Sequence, residues 1–265
     1  MITTLRAALA PGHPPLVMLH GMLGSPSSFA PVLDTLSYPG AIAAVTLPGH
    51  GTPAAKLHGS FSANVHAVAA SLPRECYLLG YSLGGRMALG IAALAAHAPL
   101  GVIAIGAHPG LAPEEREARR SWEREQSTQL SRGLDGFVRH WEALPLFRTQ
   151  SPAARDAQRQ ARLEHEPAAL GRAFEELGSG AMPSLVDGLA HFSGPICMMA
   201  GALDDAYVAH AKRAARLLPR LSTVLVPAAG HNPIIETPVA LARLCDERLR
   251  TFTNQREETH ELAQL

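Results

Sequence analysis

The sequence has no excess of charge of either sign and few charged residues altogether. Its 265 residues include 23 Lys and Arg against 23 Asp and Glu, and charged residues make up 17% of the chain. Binding to nucleic acid through phosphate contacts requires a basic excess, so no nucleic-acid partner is expected. Hydrophobic residues reach 47%, which excludes a disordered protein. The chain is long enough for one large domain with a sizeable core.

Cysteine is scarce, and no pattern of metal ligands is present. Cys76, Cys197 and Cys245 form an odd set without a C-x-x-C pair, which predicts buried thiols in a reducing compartment rather than a disulfide framework. The first residues lack a basic segment followed by a long apolar run, so we expect no signal peptide and a cytoplasmic location. The histidines show no metal-ligand spacing, and we expect neither a metal nor an organic cofactor.

One stretch without Asp, Glu, Lys or Arg, residues 87–107, is long enough to cross a bilayer. His97, Pro99 and Gly101 interrupt it in the middle, and its two halves have different hydrophobic periods. This pattern predicts a buried helix followed by a buried strand. We therefore expect no membrane partner.

Fully apolar runs without in-and-out alternation recur along the chain. They lie at 16–20, 41–47, 76–81, 101–107, 195–200 and 222–227. Strands of a parallel sheet that is covered on both faces have this character. Helical patterns alternate with them, at about 26–36, 62–73, 83–97, 206–218 and 235–250. The alternation predicts an α/β fold with a mostly parallel sheet and right-handed crossovers.

Residues 112–190 depart from this alternation and are richer in Arg and Glu. They are typical of several helices, and we expect them to form a helical cap inserted between two strands. The core would then consist of residues 1–111 and 191–250. Residues 251–265 are polar, and we expect a C-terminal tail or a frayed helix there.

A G-x-S-x-G motif, Gly80 to Gly84, lies between a predicted strand and a predicted helix. Its glycines permit a sharp turn that leaves Ser82 exposed, with the backbone N–H of Leu83 facing the reacting oxygen. The motif also occurs by chance in ordinary strand–helix turns. Its position between these two elements favours Ser82 as a nucleophile or base.

A serine of this kind needs a base and an orienting acid. His231 follows the last predicted strand and is flanked by Gly230, although a surface histidine is the alternative. Asp204 comes first after the strand at 195–200, with Asp205 as the other candidate. We expect whichever aspartate is not the acid to cap the next helix.

Two further loops follow central strands. His20-Gly21-Met22 occupies the place that supplies the second N–H of an oxyanion hole, so the N–H groups of Met22 and Leu83 are expected to converge. The Leu47–Gly51 loop has the character of a tight turn, and we assign it no chemistry.

Arg86 lies one turn beyond Ser82 on a helix that otherwise carries Met, Ala, Leu, Gly and Ile. A guanidinium in such surroundings is costly unless it meets an anion. That anion is either a substrate carboxylate or an internal one. The Arg- and Glu-rich run 114–125 is typical of a solvated helix face, but we expect at least one of its arginines to face the pocket.

These motifs resemble the α/β-hydrolase superfamily. The sequence is similar in particular to the family of 2-succinyl-6-hydroxy-2,4-cyclohexadiene-1-carboxylate synthases of menaquinone biosynthesis. The segments that carry this narrower resemblance are Gly80–Arg86, Gly106–Leu111, Glu114–Arg120 and Trp141 with 145–147.

The narrower resemblance implies a triad and a set of substrate-binding residues. The triad is Ser82, Asp204 and His231. The substrate-binding positions are Arg86, Arg119 and Arg162 for carboxylates, together with Tyr81, Trp141 and His20. Within the cap the match needs a small gap, so Arg116 or Arg120 could take the place of Arg119. Glu142 departs from the family, which usually pairs an aromatic residue with the tryptophan.

The resemblance also implies an elimination without a cofactor. The family's substrate is a small polycarboxylate with a succinyl ketone and an enolpyruvyl ether. Ser82 would remove the proton beside the ketone, and pyruvate would leave while the Met22 and Leu83 N–H groups hold the enolate oxygen. A carboxylesterase of unknown substrate and a catalytically idle interaction protein are the alternatives. We expect a monomer or a small homo-oligomer.

Overall fold

The computed structural model describes residues 1–262 and contains one seven-stranded sheet. The strands are β1 (Ile2–Arg6), β2 (Leu16–Leu19), β3 (Ile42–Val45), β4 (Tyr77–Tyr81), β5 (Gly101–Ile105), β6 (Ile196–Gly201) and β7 (Ser222–Val226). Their order across the sheet is β1-β3-β2-β4-β5-β6-β7. All neighbours are parallel except β1, which runs antiparallel to β3. The mostly parallel α/β fold predicted from the sequence is confirmed.

Helices connect the strands and cover both faces of the sheet. They are α1 (Ala30–Leu33), α2 (Phe61–Ser71), α3 (Leu83–Leu94), α4 (Pro113–Leu130), α5 (Leu134–Glu142), α6 (Pro152–Arg162), α7 (Pro167–Leu177), α8 (Val186–His191), α9 (Asp205–Leu217), α10 (Pro233–Glu236) and α11 (Pro238–Leu262). Two short 3-10 turns lie at Pro26–Phe29 and Pro145–Phe147.

The sheet separates two apolar layers, and its strands contribute to both. In β2, Val17 and Leu19 face the layer formed with α2, α3, α8 and α9, whereas Leu16 and Met18 face the layer formed with α1, α10 and α11. Successive side chains of a strand point to opposite faces, so a strand covered on both sides must be apolar throughout. The three cysteines are buried in these layers as free thiols.

The uncharged stretch 87–107 contains the end of α3 and the whole of β5, as predicted. Among residues 1–262, no helix is both long and apolar enough to span a membrane. The last helix, expected to end near 250, instead continues to Leu262. Phe252 is buried against the ring of Tyr77, and so it extends the packed face of α11 beyond the expected end. Residues 263–265 of the expected tail lie outside the described residues.

Five helices, α4 to α8, separate β5 from β6, and we call residues 113–191 the helical insertion. Its inner side forms an apolar cluster over the carboxyl ends of the strands. The cluster consists of Leu130, Phe137, Val138, Trp141, Phe147, Leu170 and Phe174 together with Leu23 from the loop after β2. The insertion therefore packs on the loops that follow the central strands.

Candidate active site

Ser82 occupies a strained turn between β4 and α3. Its φ is +53° and its ψ is −111°, a conformation that side chains other than glycine rarely adopt. A Cβ added to Gly80 would lie 2.2 Å from the carbonyl oxygen of Gly84, and one added to Gly84 would lie 1.9 Å from that of Leu19. Both glycines are thus required by close backbone approaches, as the motif predicts.

Ser82, His231 and Asp204 form a continuous hydrogen-bonded series. The Ser82 hydroxyl lies 3.2 Å from His231 Nε2, and His231 Nδ1 donates to Asp204 Oδ2 at 2.8 Å. The three residues follow β4, β7 and β6 respectively, at the carboxyl edge of the sheet. His231 and Asp204 are buried. The structure therefore brings together the three side chains that the sequence proposed as a triad.

Asp204, not Asp205, contacts the histidine, and it also begins α9. Its Oδ1 accepts the backbone N–H of Tyr207 at 3.4 Å, so one carboxylate both orients His231 and caps the helix. The expectation that the other aspartate supplies the cap is wrong, because Asp205 is exposed in the first turn of α9.

The loop after β2 lies directly against the serine. A Cβ added to Gly21 would lie 2.8 Å from Tyr81 Cε1 and 3.6 Å from Ser82 Cβ, so this loop could not carry a larger residue at that position. Met22, the next residue, lines the cavity at Ser82. The roles of the Met22 and Leu83 N–H groups as oxyanion donors stay a prediction.

Two histidines tie this loop to the loop after β3. His20 Nε2 accepts the N–H of Leu47 at 3.1 Å, and its Nδ1–H donates to the Gly21 carbonyl at 2.8 Å. In return, His50 Nε2 accepts the N–H of Leu23 at 3.2 Å. Burial lowers the pKa of His20 to about 3 and that of His50 well below its ordinary value. Both rings are therefore neutral and act as spacers between the two loops.

This arrangement differs from two expectations. His20 was expected to bind substrate, but both of its ring nitrogens are bonded to backbone groups and it does not line the cavity at Ser82. The Leu47–Gly51 loop, expected to be a simple turn, supplies the reciprocal tie through His50. The Gly51 N–H also donates to His165 Nδ1 at 2.9 Å, which connects the loop to the helical insertion.

A cavity of about 400 Å³ opens at Ser82 between the sheet and the helical insertion. Ser82 and His231 both line it. Its aromatic walls come from Tyr81, Trp122, Trp141, Phe147, Phe174 and Tyr207. Two arginines and two histidines border it, namely Arg86, Arg119, His108 and His210. Tyr81 and Trp141 thus lie where the sequence expected them.

Arg86 is 6% exposed. Its Nη1 donates to the Leu177 carbonyl at 2.7 Å, and no carboxylate of residues 1–258 forms an ion pair with it within 4.0 Å. Burial lowers its pKa to about 10, so the guanidinium stays charged at neutral pH. The nearby Glu123 is already used by Arg119 and by the N–H groups of Ser179 and Gly180.

Among the three candidate arginines of α4, Arg119 borders the cavity. It pairs with Glu123 at 2.8 Å and lies 4.1 Å above the ring of Trp122. Arg116 and Arg120 point elsewhere and donate to the carbonyls of Met182 and Gly180. The structure therefore distinguishes three positions that the sequence left open.

Arg162 lies in a neighbouring cavity of about 220 Å³, which shares Met22, Tyr81, Trp141 and Phe147 with the first. Its Nη1 bonds to Glu142 Oε1 at 2.9 Å, and its Nη2 donates to Gln158 Oε1 at 2.8 Å. Glu142, the position where the sequence departs from the family, is thus the internal partner of Arg162. The structure does not bring Arg162 into the cavity of Arg86 and Arg119.

The chain matches the alpha/beta hydrolase family over residues 16–244. It is 33% identical to the 2-succinyl-6-hydroxy-2,4-cyclohexadiene-1-carboxylate synthase of Pectobacterium atrosepticum, over 92% of this chain and 96% of the relative. The synthase of Serratia proteamaculans is 32% identical over 87% and 91% of the two chains.

Solved structures agree with these sequence matches. MenH from S. aureus superimposes with a TM-score of 0.87 at 26% identity, covering 96% of this chain and 98% of that one. A thermophilic esterase from Thermogutta terrifontis, at 22% identity and a TM-score of 0.76, shares the fold over 95% of this chain and 93% of the esterase. The chain therefore belongs to the alpha/beta hydrolase family, and within it to the group of 2-succinyl-6-hydroxy-2,4-cyclohexadiene-1-carboxylate synthases.

Proposed function

We propose that this protein is a lyase of menaquinone biosynthesis. It eliminates pyruvate from 2-succinyl-5-enolpyruvyl-6-hydroxy-3-cyclohexene-1-carboxylate and releases 2-succinyl-6-hydroxy-2,4-cyclohexadiene-1-carboxylate. The relatives named as this synthase support the assignment over nearly the full chain. The structural observation that carries it is Arg86, a buried cation that pairs with no carboxylate of residues 1–258, in the cavity that contains Ser82. A polycarboxylate substrate supplies the missing anion.

The triad supplies the base for the elimination. His231 Nε2 takes the hydroxyl proton of Ser82, and the serine oxygen removes the proton from the ring carbon beside the succinyl ketone. The C–H electron pair forms an enolate, whose oxygen the Met22 and Leu83 N–H groups stabilise. As the ketone re-forms, electrons shift through the ring double bond and break the C–O bond to the enolpyruvyl group. The leaving enolate of pyruvate takes up a proton, and His231 gives up the proton that it received from Ser82, so the triad returns to its starting state. Asp204 holds His231 in the required tautomer and stabilises its charged form.

The cationic side chains bind substrate carboxylates in this proposal. Arg86 and Arg119 bind them in the larger cavity, and Arg162 does so from the neighbouring one. Tyr81 and Trp141 form the wall that the two cavities share. A carboxylesterase is the second candidate, because the same triad and aromatic walls also suit ester hydrolysis. Arg86 disfavours it, since ordinary ester pockets are mainly apolar.

We also propose a division of labour along the chain. Residues 1–111 and 191–250 form the catalytic core, and residues 112–190 act as its cap. The apolar cluster that joins the helical insertion to Leu23 supports this division. We place the reaction in the cytoplasm, which agrees with three buried free thiols, and we propose a monomer or a small homo-oligomer.

Isotopic labelling tests the proposal. The substrate is prepared with deuterium on the ring carbon beside the succinyl ketone, and pyruvate release and label are followed together. Elimination predicts that each pyruvate released is accompanied by loss of one deuteron to solvent, with a slower rate than for the unlabelled substrate. Hydrolysis of an ester or ether bond would retain the label, and this result would exclude the proposed chemistry.

A further inference from the structure

Two imidazoles stack on one another in the wall of the Ser82 cavity, and the proposed mechanism uses neither. His108 follows β5, and His210 lies on α9. Their ring centroids are 4.9 Å apart and their planes are inclined by 29°. Both border the cavity that also contains Arg86 and Arg119. A polar pair at this place borders the volume that the substrate would occupy.

Backbone and side-chain hydrogen bonds fix the orientation and tautomer of His108. Its Nδ1 accepts the N–H of Gly110 at 3.2 Å, so the ring proton is on Nε2, which donates to the Ser179 hydroxyl at 3.3 Å. The side chain is 2% exposed. His108 is therefore a fixed, neutral platform for the second ring.

His210 is the open member of the pair. It is half-buried between His108 and the ring of Tyr207, whose centroid is 5.4 Å away. Within the described part of the chain, no hydrogen bond reaches either of its ring nitrogens, although the ring borders the cavity. A half-buried imidazole without a partner is free to donate to a ligand.

The arginines beside His108 favour an anion in this part of the cavity. Burial lowers the pKa of both rings, and the coulombic effect of Arg86 lowers that of His108 further. The charged or titratable groups that face the two rings are Arg86 from α3, Glu115 and Arg119 from α4, and Asp204, Tyr207 and Arg213 from the start and body of α9. Both rings are therefore neutral: Arg86 and Arg119 act on His108, whereas Glu115, Asp204 and Arg213 act on His210. A bound carboxylate would raise the pKa of His210, because an opposite charge favours the protonated imidazole.

We propose that His210, supported by His108, is a further carboxylate-binding position of the cavity, and that it takes up a proton when the substrate binds. This inference rests on the proposed function, since it needs a polycarboxylate in the cavity. It assigns His210 a role in substrate affinity and not in the elimination itself. The arginines then provide permanent charge, and His210 provides charge only when an anion is present.

Calorimetry of a variant that does not turn over tests the proton uptake. Ser82→Ala is titrated with the enolpyruvyl substrate at pH 7 in phosphate and in Tris, buffers whose ionisation enthalpies differ. The dependence of the binding enthalpy on the buffer gives the number of protons taken up. The same titration is made with Ser82→Ala/His210→Gln, so that any proton bound by His231 cancels in the comparison. His66→Gln in the same background is the control, because His66 is exposed on α2, away from the cavity.

On binding substrate, Ser82→Ala is expected to take up at least about 0.5 proton more than Ser82→Ala/His210→Gln. The His66→Gln control is expected to match Ser82→Ala. In the enzyme with Ser82 intact, His210→Gln is expected to raise KM about 10-fold at pH 7 with kcat nearly unchanged. Equal proton uptake by the two variants would overturn the inference while leaving the lyase assignment intact. Absence of any binding to Ser82→Ala would instead overturn the proposed function, and this inference with it.

Discussion

Arg86 donates to the backbone carbonyl of Leu177 at 2.7 Å, and this neutral group is its hydrogen-bond partner in place of a carboxylate. The carbonyl satisfies one N–H group but leaves the positive charge uncompensated in a buried position. Of the two anions that the sequence allowed for Arg86, the structure therefore favours a substrate carboxylate over an internal one.

Arg86→Met tests this relationship. The replacement keeps the volume and helix propensity of the side chain but removes its charge, so kcat/KM for the carboxylated substrate should fall by about 2–4 kcal/mol of transition-state binding. Cleavage of a small neutral ester, if measurable, should hardly change. Arg86→Lys should restore only part of the activity, because an ammonium cannot form the planar double contact of a guanidinium.

The melting temperature of Arg86→Met distinguishes a substrate carboxylate from an internal carboxylate as the partner of Arg86. Without an internal partner, the variant should melt within a few degrees of the wild type. If Arg86 instead compensated a buried carboxylate, its loss would lower stability by about 3–5 kcal/mol and depress activity on neutral and anionic substrates alike.

Ser82→Ala and His231→Ala are expected to lose most turnover. Each removes one member of the hydrogen-bonded series that generates the base, and such losses typically cost orders of magnitude in rate. Circular dichroism should remain near that of the wild type, because both side chains border the cavity rather than the core. Retention of more than about a tenth of the wild-type rate by Ser82→Ala would contradict its role as the base.

The two adjacent aspartates should differ sharply. Asp204→Asn should lower kcat strongly, because the amide cannot hold His231 in the required tautomer. It should also lower stability slightly, since the same carboxylate caps α9. Asp205→Asn should leave kcat unchanged and cost at most a few tenths of a kcal/mol, because it is an exposed first-turn acid. A larger loss of kcat at Asp205 would reverse the assignment.

Acid should destabilise the fold through the two histidines that join the loops. Burial holds the pKa of His20 at about 3 and that of His50 well below its ordinary value. In the unfolded chain both imidazoles bind protons below about pH 6.5. The unfolded state therefore binds more protons than the folded state, and the free energy of unfolding falls as the pH falls.

Between about pH 6 and pH 4, His20 should contribute a slope of up to about 1.4 kcal/mol per pH unit, and His50 should add to it in the same direction. Urea denaturation at a series of pH values measures this slope. A free energy of unfolding that stays constant from about pH 6.5 to pH 4.5 would show that the two rings are not held neutral in the folded protein.

Six of the seven strands could be predicted from the sequence, and so could Ser82, Asp204 and His231, because these features depend on local patterns. Each lies at the end of an apolar run, and a parallel sheet collects such ends at one edge. The strand that was missed, β1, is a partly exposed edge strand with two threonines, so it lacks the apolar character of the others.

Features that depend on contacts between distant segments were not predictable in the same way. The ties of His20 and His50 form only because the loops after β2 and β3 meet in the fold. Which arginine of α4 borders the cavity depends on how α4 is rotated as it packs against α7. The sequence spacing alone does not distinguish Arg119 from its neighbour Arg120. His210 carried no motif at all, and the cavity alone draws attention to it.

A combined assay of pyruvate and diene tests whether this protein carries out the elimination. The purified protein is mixed with the enolpyruvyl substrate, and pyruvate and the absorbance of the cyclohexadiene product are followed in the same sample. Ser82→Ala and a sample without protein serve as controls. We expect the wild type to release pyruvate and diene in equal amounts, much faster than either control. A wild-type rate equal to that of the controls, or pyruvate without diene, would contradict the account.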